Sequence, residues 1–209
     1  RYPFVLILHE GHDSHCENQG HHHVFLKSIH PVSEVQFTSQ FDFGTIPYRA
    51  CIAVDDHLYV IGGQEGDFMA KPGSPIFKCS RRFEVVYGDV YMLDEDMKWK
   101  GLPSMPKPNS HIECSWVVVN NSIVIVGGTT EKHPVTKRMI LVGEVFRFDL
   151  NTLTWSVIGK MPYRAKTTLA GFWDGWLYFT SGQRDRGPDN PQPRKVVGDM
   201  WRTKLRLSH

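Results

Sequence analysis

Seven of the eleven histidines stand near the N-terminus, at His9, His12, His15, His21, His22, His23 and His30, beside Glu10, Asp13 and Cys16. Imidazole, thiolate and carboxylate are the groups that zinc, copper and nickel take as ligands. A spacing of three would bring His9, His12 and His15 to one helical face, but Gly11 and the Asp13-Ser14 insert oppose a helix there. The segment reads as biased composition with adventitious metal affinity, so no metal site and no cofactor are assigned. The cysteines, Cys16, Cys51, Cys79 and Cys114, form no C-x-x-C pair and read as buried or free thiols. No glycine-rich loop opens a helix and no G-x-S-x-G occurs, so neither a phosphate cradle nor a nucleophile elbow is expected.

The other chemistry-bearing residues gather in three polar stretches. Gln64 to Glu84 offers Gln64, Glu65, Asp67, Phe68, Met69, Lys78, Arg81 and Arg82; Thr129 to Leu141 offers Glu131, Lys132, His133, Lys137 and Arg138. Gln183 to Val196 offers Gln183, Arg184, Asp185, Arg186, Arg194 and Lys195. Cations outnumber acids, and an arginine fork matches carboxylate or phosphate in a two-point contact. These residues are the candidate ligand-binding set, suited to a protein or glycan partner, especially an anionic one. No catalytic residue is assigned.

A repeat positions these stretches. His57-Leu-Tyr-Val-Ile-Gly-Gly63, Ser122-Ile-Val-Ile-Val-Gly-Gly128 and Gly175-Trp-Leu-Tyr-Phe-Thr-Ser-Gly182 each read as a strand ending in glycine. Ahead of each runs another apolar strand, joined through Asp55-Asp56, Asn120-Asn121 or Asp174-Gly175. These residue types accept the positive φ that two-residue hairpin turns require. A third strand follows each polar stretch, at Asp89 to Leu93, Glu144 to Phe148 and Asp199 to Thr203. A fourth follows twice, at Trp99 to Leu102 and Thr154 to Ile158. Strand direction alternates, so the three polar stretches all emerge at the same end of their units.

Four antiparallel strands, a strand-closing glycine pair, an aromatic in the third strand and a tryptophan opening the fourth resemble the kelch repeat, which builds blades of a β-propeller. Val54 to Phe68 and Lys160-Met-Pro-Tyr-Arg164 look like plant kelch-repeat proteins of the galactose oxidase/kelch superfamily. The resemblance runs from about Tyr48 to Leu207. It implies an all-β fold of about three four-stranded blades, over 47–105, 106–162 and 163–209, behind an unmatched leader at 1–46. Its structural residues would be Gly62, Gly63, Tyr91, Trp99, Gly127, Gly128, Phe146, Trp155, Gly182 and Trp201. Trp99, Trp116, Trp155 and Trp173 are expected in the core between blades.

Three blades do not close a ring, since propellers carry typically four to eight. The resemblance implies half of a six-bladed ring, completed by further blades upstream, by a second copy of the chain, or by the leader as an irregular blade. Arg1 in place of an initiator Met points to a fragment. The resemblance further implies a Golgi or endosomal protein with one membrane span near its own N-terminus, the alternative being the cytoplasm. The longest early apolar run here, Tyr2 to Leu8, is far short of the ~20 residues of a span. In that setting the sequon Asn120-Asn121-Ser122 would offer Asn120 to a glycan.

The function implied is binding without catalysis. The alternative is a carbohydrate-active propeller enzyme of mutarotase or oxidase type. Copper-radical chemistry of the galactose oxidase kind needs a Cys-linked Tyr, a second Tyr and two His, a set not found here. The iron motif Glu-x-x-x-Asp-x-x-x-His of plant specifier proteins is likewise missing, because no Glu has Asp four residues later. A net charge of +2 gives no electrostatic reason to expect nucleic acid or an acidic membrane.

Overall fold

The computed structural model describes residues 46, 48–66, 84–205 and 207, together with the backbone at 68–69 and 77–78. The leader histidines, Glu10, Asp13, Cys16 and Cys79 lie outside the described residues, as do Asp67, Arg81 and Arg82.

Two four-stranded antiparallel sheets follow one another along the chain. The first pairs Ala50–Val54, His57–Ile61, Val90–Leu93 and Trp99–Leu102 in sequence order. The second pairs Trp116–Val119, Ser122–Val126, Glu144–Asp149 and Thr154–Lys160. A third sheet has Leu169–Trp173, Trp176–Thr180 and Met200–Lys204, three strands among the described residues. The hairpin turns take the conformation their residues favour: Asn120 and Asn121 have φ of 46° and 52°, Asp174 and Gly175 50° and 75°.

The sheets stack face to face through side chains that alternate along each strand. Ile123, Ile125, Phe146 and Phe148 of the second blade pack against Ala50, Ile52, Tyr59 and Ile61 of the first. Val124, Val126 and Val145, one position out of phase, pack against Leu177 and Phe179 of the third. A strand covered on both faces has no reason to alternate apolar with polar, and Ser122–Val126 is buried throughout. Burying one such aromatic or aliphatic side chain contributes about 2 kcal/mol. Trp155 reaches across a blade boundary, donating its indole N–H to the carbonyl of Pro103 at 2.9 Å while leaning on Phe148.

Strand-end glycines tie the first two blades to the linkers that follow them. Gly63 N–H donates to the Asn109 carbonyl at 2.8 Å, and Gly128 N–H donates to that of Ala165 at 2.8 Å. The preceding glycines make the approach possible. At Gly62 (φ 66°) a Cβ would sit 2.3 Å from the Asn109 carbonyl oxygen, and at Gly127 (φ 73°) 2.4 Å from that of Ala165. In the third blade the equivalent residue is Ser181, held at φ 62°.

The tryptophan expectation is corrected in the third blade. Trp173 is 72% exposed and Trp201 43% exposed. Trp173 shares with Leu169 and Met200 the sheet face turned away from the second blade, which no described residue covers. Trp201 stands edge-on to Tyr163 on a strand that no fourth strand flanks among the described residues.

Gly62→Ala is expected to destabilise by about 2–4 kcal/mol, from backbone strain plus the carbonyl clash. Ser181→Gly is expected to stabilise by up to about 1 kcal/mol, because it only relieves strain. Urea midpoints at unchanged m-value measure both, and equal losses at the two positions would refute the linker account.

Candidate functional site

The three polar stretches fold into β-ribbons, where the sequence suggests open loops. Gln64–Glu65 pairs with Val85–Val86, Thr129–Lys132 with Met139–Leu141, and Gln183–Gly187 with Asn190–Val196, the last joined by Ala165–Lys166. The signal was masked in the third ribbon by Pro191 and Pro193. Proline cannot donate to a ladder, and the pairing accommodates Pro193 between register shifts on either side of Asp185. The second and third ribbons are joined: Arg138 donates to Gln192 Oε1 at 3.0 Å, and Gln192 Nε2 donates to Thr136 Oγ1 at 2.8 Å.

Several expected ligand contacts are internal instead. Gln64 is 1% exposed and accepts a 3.0 Å bond from Ser110 Oγ. Ser110 Oγ also lies 2.7 Å from Thr129 Oγ1, and both hydroxyls reach His111 Nδ1, whose ring stacks on Tyr48 at 4.2 Å. This network fills the joint between the first two blades, and burial without such partners would be costly. His133 Nδ1 accepts from the backbone N–H of Val135 and Thr136, closing the turn of its own ribbon. Asp185, 4% exposed, accepts from the Arg164 side chain and backbone N–H at 3.0 and 3.1 Å. Arg164 also donates to the carbonyls of Gly187 and Pro188. Gln64 and Asp185 are thus buried and bonded within the protein, while His133 stays half-buried at its turn.

Others remain at the surface. Glu131 and Arg186 are exposed; Glu65, Lys132, Gln183 and Arg184 are half-buried. Glu65 accepts from Tyr87, and that bond, with burial behind it, holds the Tyr87 phenol above its ordinary pKa. Arg184 lays its guanidinium 4.2 Å above the Tyr163 ring. His57 lies half-buried at its hairpin. Among the described residues no three His, Cys, Asp or Glu side chains gather as a metal-ligand set. Among the described residues there is no helix long and apolar enough to cross a membrane.

Between the second and third blades, at the ribbon end, a groove of about 500 Å³ is lined by Lys107, Glu144, Lys160, Tyr163, Arg164 and Arg184 among others. Lys107 bonds Glu144 at 2.6 Å. Burial alone would raise the Glu144 pKa, but that bond and backbone N–H donors outweigh it and hold the carboxyl low. Sequence reasoning missed Lys107, Lys160 and Tyr163 because they lie on the linkers and a fourth-strand end, outside the polar stretches. The recurring Met-Pro lead-ins at Met105 and Met161 were the available signal, both methionines being buried.

Two four-stranded blades and a third sheet, stacked and tied through strand-end glycines, define a segment of a kelch-type β-propeller. Over 161 residues the chain is 75% identical to the Kelch repeat-containing protein At3g27220 of Arabidopsis thaliana, a match covering 77% of this chain and 38% of the relative. The solved structure of YjhT superposes with a TM-score of 0.55 at 16% identity, covering 79% of this chain and 44% of that one. No family model matches. The chain belongs to the kelch-repeat proteins and spans well under half the length of this curated relative.

Beside the second and third blades, Glu113 is pushed up in pKa by burial, partly opposed by its own backbone N–H and by Lys166. A carboxyl raised in the folded state loses stability as pH climbs from its unfolded value through its folded one. Glu113→Gln should therefore be more stable than wild type at pH 7, with the gain vanishing near pH 4. Urea midpoints at the two pH values test this, and a gain of equal size at both would contradict it.

Proposed function

We propose that the chain is the ribbon-bearing part of a propeller scaffold, binding a protein partner through the ribbon end without catalysis of its own. The supporting observation is the joining of the second and third ribbons through Arg138, Gln192 and Thr136. It offers one firm platform whose outward side chains, Glu131, Lys137, Arg186, Arg194 and Lys195, are exposed. A rigid scaffold presenting variable outer residues is the usual arrangement for recognition. On this reading further blades or a second copy of the chain cover the third sheet. A Golgi or endosomal setting accords with this reading. Asn120 is exposed on a hairpin tip at the end opposite the ribbons, so a glycan there leaves the platform open.

The test is charge reversal at Lys137 and Arg186 in the full-length protein expressed in its source tissue. Loss of the co-purifying partner, with an unchanged thermal midpoint, is expected. Retention of the partner, or a sugar turnover that these changes abolish, would overturn the scaffold reading.

A further inference from the structure

We infer that the groove between the second and third blades and the cationic ribbon beside it take an extended acidic segment of a partner protein. This rests on the scaffold reading and specifies its ligand. Arg184 and Lys195 are directly opposed across the third ribbon. Like charges in that arrangement repel and destabilise the pairing, which a bound anion would reverse. Arg186 and Arg194 flank them, both exposed.

Two of the nearby acids are committed to other partners, while Asp199 lies close enough to act on Tyr163 and Asp189 stands exposed at the ribbon tip. Asp185 is committed to Arg164, and the Arg184 guanidinium reaches it only at 3.7 Å. Glu144 is committed to Lys107. Among the described residues, Lys160, Arg186, Arg194 and Lys195 have no ion-pair partner. The groove thus presents positive charge over a floor that includes Ile140, Pro162 and Pro188.

The choice of a peptide over an anionic glycan follows from Tyr163. Sugar rings favour a bare aromatic face, but one face of Tyr163 lies under Arg184, and Phe179 and Trp201 stand against it edge-on. Carboxylates suit the guanidinium fork, and the apolar floor suits intervening side chains. Placed at the mouth of the groove, the cations would also raise the rate of encounter with an acidic segment.

The experiment is fluorescence anisotropy on the full-length protein with three probes: a labelled ten-residue Asp/Glu-rich peptide, its Asn/Gln counterpart and a sulfated oligosaccharide. The acidic peptide is expected to bind, and the neutral one at least tenfold more weakly. Lys195→Gln, on an exposed side chain whose loss leaves the fold intact, should weaken acidic-peptide binding fivefold or more. Arg184→Gln should do the same. Lys98→Gln, which removes equal charge from the outer edge of the first blade, should change it less than twofold. No binding, an equal loss from Lys98→Gln, or binding of the sulfated oligosaccharide alone each overturns the inference. If the co-purifying partner still depends on Lys137 and Arg186 in that case, the scaffold reading survives; if both results fail, both readings fall.

Discussion

The hydrogen bond from a strand-end glycine to the next linker is the constraint on which the architecture depends. Gly63 to Asn109 and Gly128 to Ala165 fix where each chain segment turns to begin a new blade. The same glycines accept from the start of the return path, Gly63 from Tyr87 N–H and Gly128 from Val142 N–H, and Gly182 accepts from Val197 N–H. One short stretch therefore organises both the blade and its neighbour. A second belt runs beside it. Tyr48, His111 and Thr167, each just before a first strand, all have positive φ, and the N–H of His111 and of Thr167 donates to the carbonyl of the residue before it in this series. Stacking of blades thus rests on backbone groups as well as on the apolar faces, which explains how Tyr, His and Thr can occupy one structural position.

The repeat was legible because its markers are demands of the backbone. Asn120-Asn121, Asp174-Gly175 and the glycine pairs sit where φ must be positive, and few residues serve there. That Ser122 to Val126 is covered on both faces emerges from the structure, where every residue of the strand is buried. Side-chain destinations were less legible, because the same residue type serves solvent and interior alike. Gln64 and Asp185 look like surface polar residues along the chain, and only the approach of Ser110 and Arg164 from other segments makes them internal. Trp173 has the composition of a core residue but lies on a face that no described residue covers.

That internal use of polar groups shapes the candidate site by subtraction. Gln64, Ser110, His111 and Thr129 satisfy one another at the first joint, Asp185 and Arg164 satisfy one another at the second, and Lys107 and Glu144 are paired. The groups free to meet another molecule stand on the ribbons, held by a frame that does not need them for stability. On the proposed scaffold reading, recognition and folding fall to different residues.

The third blade shows that the junctions are not all alike. At Gly62 and Gly127 the absence of a Cβ admits a linker carbonyl within 2.3–2.4 Å of where that atom would lie. Ser181 stands at the same place with nearly the same φ but carries a Cβ. A following linker could not come as close there without clashing. Whatever covers Leu169, Trp173 and Met200 must therefore enter by a different path from the one joining the first three sheets. A further blade can do so only if its linker is displaced outward, and a second copy of the chain would have to do the same. The apolar face supplies the attraction, while Ser181 restricts the geometry with which it can be met.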